Sequence, residues 1–546
     1  MTIKTPLEML YHQVETRPDE LFLVQPNNGN TTQYTWRQFD RQVRKVAQGL
    51  VNLNLPKGSH VALISKNCAE WFITDLAIMM AGHVSIPIFP TAGHETISYV
   101  LNHAQCPVIF VGKLEHADEQ LQAIPKTVKS IGFAYPGANC DLSWEDFTSL
   151  EPFDGYPTPA LDDPMTIIYT SGSTGSPKGV MHNYSSISWT ASSSLDALSV
   201  NADDRILSYL PLAHITERIL VEMASLYSGM QIYFIESLET FKTDIHRCQP
   251  TLFISVPRLW TRFQMGILAQ MPQKKLDILL KIPILSGIVA KKIRKGLGLD
   301  QARLWASGSA PISPATIHWF SKIGIDISEG WGMTENCAYG TSSVPFRKDK
   351  VGSIGKAYEG VDIRISDEGE IQVKGPCNMQ GYYLEPEKTA EVFTEDGYLC
   401  TGDKGEIDSE GYVKITGRLK DIFKTAKGKY ITPVPIEAKL MENAIIEQVC
   451  VTGSSLKQPI ALLVLSPEAK LKPKEQLESS LQDTLNNVNA SLESHQVLDR
   501  LLVVEEDWTI ENDFLTPTLK IKRHVLEKKY QDVINASYKQ KVVWLS

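Results

Sequence analysis

Short apolar runs of strand length recur through roughly the first 400 residues, each separated from the next by helical periodicity, and this alternation restricts the chain to an α/β architecture. HVALIS at 60–65, CPVIFVG at 106–112, MTIIYTS at 165–171 and QIYFIES at 231–237 are the clearest runs. Between such runs, WRQFDRQVRKVAQGLVNL at 36–53 repeats its apolar residues with the period of a helix. That period puts Phe39, Val43, Val46, Ala47 and Leu50 on one face.

From about residue 350 the pattern changes to short strands broken by Gly and acidic residues, in VDIRISDEGEIQVKG and GYLCTGDKGEIDSEGYVKITGR. Antiparallel hairpins with turns at Asp-Glu-Gly and Ser-Glu-Gly are expected there. A chain of 546 residues exceeds what one hydrophobic core organises. The division is expected after Arg418, giving a large domain over 1–418 and a smaller one over 419–546.

The net charge of −9 excludes a bulk attraction to nucleic acid and leaves small molecules as the expected partners. The eight cysteines have no zinc-like spacing and read as reduced, mostly buried thiols. The first residues, MTIKTPLEMLYHQVETRPDE, lack the pattern of a secretory signal, so the default expectation is a cytoplasmic location. No apolar run reaches the ~20 residues of a membrane span. The nearest, LDILLKIPILSGIVA at 276–290, is broken by Asp277, Lys281 and Pro283 and flanked by Lys274, Lys275, Lys291, Lys292 and Arg294. It reads as a buried helix pair, with a peripheral membrane contact as the alternative.

The segment richest in chemistry is TIIYTSGSTGSPKGV at 166–180, an apolar strand running into Thr170, Ser171, Gly172, Ser173 and Thr174 and then Pro177 and Lys178. Glycines there let main-chain N–H groups converge on an oxyanion, the hydroxyls add donors, and Lys178 adds a positive charge. It is not a Walker A loop, because Pro177 stands where that motif requires Gly and Gly179 where it requires Ser or Thr.

The stretch YTSGSTGSPKGV resembles the hallmark loop of the adenylate-forming, AMP-binding superfamily, and the chain is similar in particular to long-chain fatty acid–CoA ligases. Many members carry His where this chain has Tyr184, and His182 is assigned no role. The resemblance extends in family order from VSIPIFPT at 84–91 to the C-terminal lysines. It implies two α/β subdomains and a small β-barrel-like subdomain in the large domain, followed by a mobile α+β domain.

Residue by residue, the resemblance implies an ATP site. LSYLPLAHITER at 207–218 would set His214 beside the acyl carboxylate. ASGSAPI and SEGWGMTEN would grip the nucleotide, with Gly308, Ser309, Ala310, Glu329, Gly330, Trp331, Gly332 and Met333 around adenine and the α-phosphate. Thr334 would reach the phosphate. Glu335, with Thr174, would hold Mg2+, a cation that prefers oxygen ligands. Asp403 and Arg418 would bind the ribose hydroxyls.

Lys520 takes the position of the lysine that enters the site for adenylation, although Leu519 replaces the family's usual Gly and Lys522 stands two residues on as the alternative. Lys420 takes the hinge position. Gly428, in KTAKGKYI, takes the place of a loop that approaches the pantetheine arm of coenzyme A. The expected reaction is activation of a carboxylic acid, medium- to long-chain, to acyl-AMP and then acyl-CoA. Delivery to a carrier protein, an aryl acid substrate, a luciferase-like oxygenase and a non-catalytic nucleotide-binding regulator are the competing readings.

Overall fold

A computed structural model describes residues 3–135, 139–170, 177–454, 456–510, 512–516 and 520–545. The architecture is α/β, with a large N-terminal domain and a smaller C-terminal one. Its largest sheet has eight strands, in the order Gly381–Tyr382, Lys178–Asn183, Pro164–Thr170, Val84–Ile88, His60–Ile64, Val108–Val111, Lys129–Gly132 and Leu142–Ser143. The strands from Pro164–Thr170 to Leu142–Ser143 pair in parallel, and Lys178–Asn183 and Gly381–Tyr382 close the other edge antiparallel.

Both faces of this sheet are covered, as the pleat of its residues shows. Val61, Leu63, Val108 and Phe110 enter one core, while Ala62, Ile64, Ile109 and Val111 enter another on the opposite side. Helix Trp36–Asn52 packs into the first core through Phe39, Val43, Val46, Ala47 and Leu50, the face its period predicts. Thr35 and Gln38 form a capping box that fixes its start. Gly49 lies on that helix where a Cβ would meet the Phe147 ring at 1.9 Å, so only glycine allows the approach.

A second region joins the sheet Arg205–Ser208, Gln231–Phe234, Leu21–Asn27 and Asn30–Thr35 to a five-stranded sheet running from Leu252–Ser255 through Leu304–Ser307 and Ile327–Trp331 to Thr341–Ser342 and Lys356–Ala357. The expected hairpins follow. Asp362–Ile365 pairs with Glu370–Lys374, and Leu399–Ile407 with Val413–Arg418, in one antiparallel four-stranded sheet. From Phe423 onward, the strands Ile446–Thr452, Ile460–Leu465, Leu501–Val504 and Val542–Leu545 carry helices and cores of their own.

The eight cysteines are free, six of them buried. Among the described residues no helix is long and apolar enough to cross a membrane. The buried helix pair expected over 276–290 needs correction. Helices Gln273–Lys281 and Pro283–Gly296 do pair, but each buries only one residue, Leu276 and Ala290, and they leave Ile278, Ile284 and Ile288 exposed. Apolar periodicity sets which residues share a face; it does not set what covers that face.

Candidate active site

The strand Pro164–Thr170 ends at the carboxyl edge of the large sheet, and Thr170 pairs with Lys178 at the start of the returning strand. Ser171, Gly172, Ser173 and Thr174, expected to bind phosphate and in the last case Mg2+, lie outside the described residues. A Walker loop leads into a helix, whereas this one leads into an antiparallel strand, which fixes the direction of Lys178. The Lys178 ammonium sits 4.6 Å from the centre of the Tyr382 ring, within cation–π range.

Tyr382 also donates its hydroxyl to Glu335 Oε1 at 2.9 Å, and both side chains are buried. Burial and the neighbouring carboxylate raise the Tyr382 pKa, so it remains a donor. Glu335 belongs to the single turn Thr334–Asn336, which is pinned from three directions. His182 Nε2 meets the Thr334 carbonyl at 2.7 Å, Met333 N donates to Asn336 Oδ1 at 2.8 Å, and Met379 N donates to the Glu335 carbonyl at 2.7 Å. His182 is fully buried, and burial lowers its pKa to about 4. The neutral ring donates from Nε2 and receives the Ser186 hydroxyl at Nδ1, 3.2 Å away. Gly332 precedes this turn where a Cβ would lie 2.3 Å from the Ala338 carbonyl carbon, so the motif admits no side chain there.

Asp403 and Arg418 face each other directly across antiparallel strands. Arg418 Nε donates to Asp403 Oδ1 at 2.8 Å, and Trp331 Nε1 donates to Oδ2 at 3.0 Å. The carboxylate is thereby held in one orientation by a charged and a neutral donor. Trp331 thus links the strand Ile327–Trp331 to the sheet that carries Asp403.

Lys520 approaches this cluster from the C-terminal domain. Its surface stays open to solvent, but the protein atoms crowded around its ammonium make the charge costly. Burial first and the Arg418 charge second lower its pKa, while Asp403 and Glu335 oppose the shift. Lys522 is committed elsewhere, in an ion pair with Asp513. The domains also meet through ion pairs from Arg258 and Arg262 to Glu447 and a hydrogen bond from Ser313 to Glu442.

His214 caps the turn Ile215–Glu217 by accepting from Thr216 N at 3.2 Å. Burial and the Lys520 charge lower its pKa to about 4, so the ring is neutral near pH 7. The two residues that end this motif anchor it. Glu217 Oε1 accepts from Ser208 Oγ, Tyr209 N and Asn67 Nδ2 at 2.8, 3.1 and 3.2 Å. Arg218, fully buried, grips both Asp75 oxygens at 2.7 Å and reaches Thr166 Oγ1 at 2.6 Å.

A pocket is lined on its polar part by Gly308, Ser309, Glu329, Gly330, Trp331 and Gly332 and on its aliphatic part by Leu198, Leu220, Ile254, Leu304 and Val344. Glu329 is one of these lining residues, and burial raises its pKa to about 8. Ala310 is exposed beside Ser309 and does not line this pocket, and Met333 turns instead toward Val180, Tyr382 and Leu399. Lys420 is exposed in the turn Leu419–Asp421, directly after Arg418. Gly428, with φ of 77°, lies at the exposed tip of the hairpin Phe423–Lys424/Tyr430–Ile431 and bonds back to Thr425, apart from the cluster.

The donor set fits a magnesium–nucleotide complex better than a stand-alone metal cage. Glu335 offers a single hard carboxylate beside Lys178, and no group of three or more His, Cys, Asp or Glu converges on one point among the described residues. Magnesium bound with a triphosphate keeps phosphate and water ligands and needs few from the protein. Sequence reasoning missed Tyr382, His182, Glu217 and Arg218. The last two carried a signal, a Glu-Arg pair closing an apolar box.

The sequence profile of the AMP-binding enzyme family matches residues 10–383, and that of the AMP-binding enzyme C-terminal domain matches 420–542. A long-chain-fatty-acid–CoA ligase of Mycobacterium bovis is 29% identical over 97% of this chain and 96% of its own length. One from Xenopus laevis is 28% identical over 97% of this chain and 83% of its own. Among solved structures, the adenylation domain of a carboxylate reductase from Mycobacterium chelonae superposes with a TM-score of 0.83 at 22% identity, covering 98% of this chain and 91% of that one. An anthranilate CoA ligase in complex with anthranoyl-AMP gives a TM-score of 0.80 at 21% identity, covering 98% and 99%. With the family profile spanning most of its length, the chain belongs to the AMP-binding enzymes.

Proposed function

We propose that the protein is an AMP-forming long-chain fatty acid–CoA ligase. The observation that carries this reading is the meeting of Lys178, Glu335, the Asp403–Arg418 pair and Lys520, drawn from four separate stretches of chain, with Trp331 joining Asp403 to a pocket that has an aliphatic lining.

In the first half-reaction a carboxylate oxygen attacks the α-phosphorus of ATP, and the bond to the bridging oxygen breaks, releasing pyrophosphate with the electron pair. Two anions must be brought together, and charge grows on the leaving group. Asp403 and Arg418 orient the ribose, Lys178 and the 171–176 loop hold the phosphates, and Lys520 spans the acyl and phosphate oxygens. Glu335 with Thr174 would hold the magnesium ion, which neutralises triphosphate charge when bound. His214 stays neutral beside the incoming carboxylate, so it donates a hydrogen bond without trapping the acid in an ion pair.

In the second half-reaction the thiol sulfur of coenzyme A attacks the acyl carbon, AMP departs with the electron pair and the thiol proton is lost. Lys520 occupies the approach and must leave. We place the division between domains at 418/419, with Lys420 as the hinge and the Gly428 hairpin as the element that swings in. The Mycobacterium bovis and Xenopus laevis relatives, matched over 96% and 83% of their own length, are named for long-chain fatty acids, and the aliphatic lining of the pocket suits an alkyl chain.

The test is pyrophosphate and AMP release from ATP with acetate, hexanoate, palmitate and benzoate, each with and without coenzyme A. Turnover with palmitate that requires coenzyme A and yields palmitoyl-CoA is expected. Turnover with benzoate but not palmitate, or without any need for coenzyme A, overturns the reading.

A further inference from the structure

His214 stands on a loop that leaves the strand Arg205–Ser208 and turns at Pro211, where His214 N donates to the Pro211 carbonyl at 2.8 Å. Two buried side chains close on residues 208–210, where this loop begins. Asn67, which follows the strand His60–Ile64, donates to the Leu210 carbonyl at 2.7 Å and to Ser208 Oγ at 2.8 Å. Glu217 returns from the far end of the loop and accepts Ser208 Oγ, Tyr209 N and Asn67 Nδ2 on one oxygen.

Burying a carboxyl group is costly unless its acceptors are used, and Glu217 is only 3% exposed. What the carboxyl supplies in return is geometry. It ties the start of the loop to the turn Ile215–Glu217, whose cap is His214 itself, with Nδ1 accepting from Thr216 N at 3.2 Å. Because Nδ1 accepts, the neutral ring carries its hydrogen on Nε2. The next residue, Arg218, fastens the same turn to the large sheet through Asp75 and through Thr166, on the strand that runs on to Thr170.

We propose that Glu217 and Asn67 are positioning residues of the adenylation step, which together set the Nε2–H of His214 against the carboxylate of the incoming acid. Neither side chain touches the acid; both act through His214. This role rests on the reading of His214 given above, and not on the chain length of the acid or on coenzyme A as acceptor.

The test is single-turnover pyrophosphate release without coenzyme A, using the acid of the panel above that turns over fastest. Failure of the long-chain or thioester reading shows in that panel, whereas failure of this role shows here. Glu217→Ala and Asn67→Ala should each slow release by about 10- to 100-fold, because a slight misplacement of a group at the reacting centre is costly. Their half-saturating ATP concentration should stay within about twofold of wild type, since the ribose and phosphate contacts lie on other elements. Glu217→Gln keeps an acceptor oxygen and should stay within about threefold of wild type. In the His214→Ala background, Glu217→Ala and Asn67→Ala should each change the rate by less than about twofold, because substitutions that act through one residue do not add. Slowing that persists in full in the His214→Ala background overturns the proposal, and so does a wild-type rate in Glu217→Ala or Asn67→Ala. If Glu217→Ala does not fold, the Asn67→Ala cycle alone decides.

Discussion

Removing one hydroxyl, by Tyr382→Phe, isolates the contact on which the orientation of Glu335 depends. The substitution deletes the 2.9 Å hydrogen bond to Glu335 Oε1 and keeps the ring that lies 4.6 Å from the Lys178 ammonium. Tyr382 and Glu335 are 6% and 9% exposed, so water cannot readily take the place of the lost donor. A hydrogen bond to a charged group contributes ~1.5–3 kcal/mol. If that energy holds Glu335 ready for the metal–phosphate complex, acyl-AMP formation should slow by about 10- to 100-fold. Tyr382→Leu removes the cation–π contact too and should cost a further ~0.5–2 kcal/mol. The assay is single-turnover pyrophosphate release as a function of magnesium concentration. A poorly held carboxylate predicts a higher half-saturating magnesium concentration, which a simple loss of stability would not produce. A Tyr382→Phe enzyme with wild-type single-turnover rate and wild-type magnesium dependence refutes the reasoning.

Three further outcomes follow from the same geometry. Lys520→Ala should depress acyl-AMP formation by ~100-fold or more while sparing thioester formation from supplied acyl-AMP; Lys522→Ala, whose charge is paired with Asp513, should leave single-turnover adenylation near normal. Lys420→Pro should block thioester formation and spare adenylation, read by measuring the two half-reactions separately. His182 is held near a pKa of 4, below its ordinary 6.5, so the unfolded chain takes up a proton that the folded chain refuses. Its contribution to stability is therefore complete above about pH 6.5 and lost as pH falls toward 4, by up to ~3 kcal/mol. The stability gap between wild type and His182→Gln in urea melts should narrow across that window and stay constant above it.

The parts of this molecule that were legible in sequence are those set by local pattern or by neighbouring strands. The face of helix Trp36–Asn52 follows from its period, and the hairpins after 360 follow from their Gly turns. Asp403 and Arg418 were legible through the family resemblance; in the hairpin they lie opposite each other because the register shifts by one residue between Lys404 and Gly405. Tyr382 and His182 were not legible, because their contacts to Glu335 and Thr334 span 47 and 152 residues and depend on which strands become neighbours at the sheet edge. The 273–296 hairpin misled for a different reason. Ile278, Ile284 and Ile288 carry the same periodicity whether a core covers them or they stay exposed, as they do here.

Transfer of heavy oxygen from a labelled carboxylic acid tests the central claim most directly, because attack of the acid on the α-phosphorus leaves one carboxyl oxygen on AMP once the acyl group moves to coenzyme A. The account predicts one labelled oxygen in the AMP phosphate for each thioester formed, with pyrophosphate unlabelled. Label in inorganic phosphate together with ADP, or AMP formed without label, would contradict it.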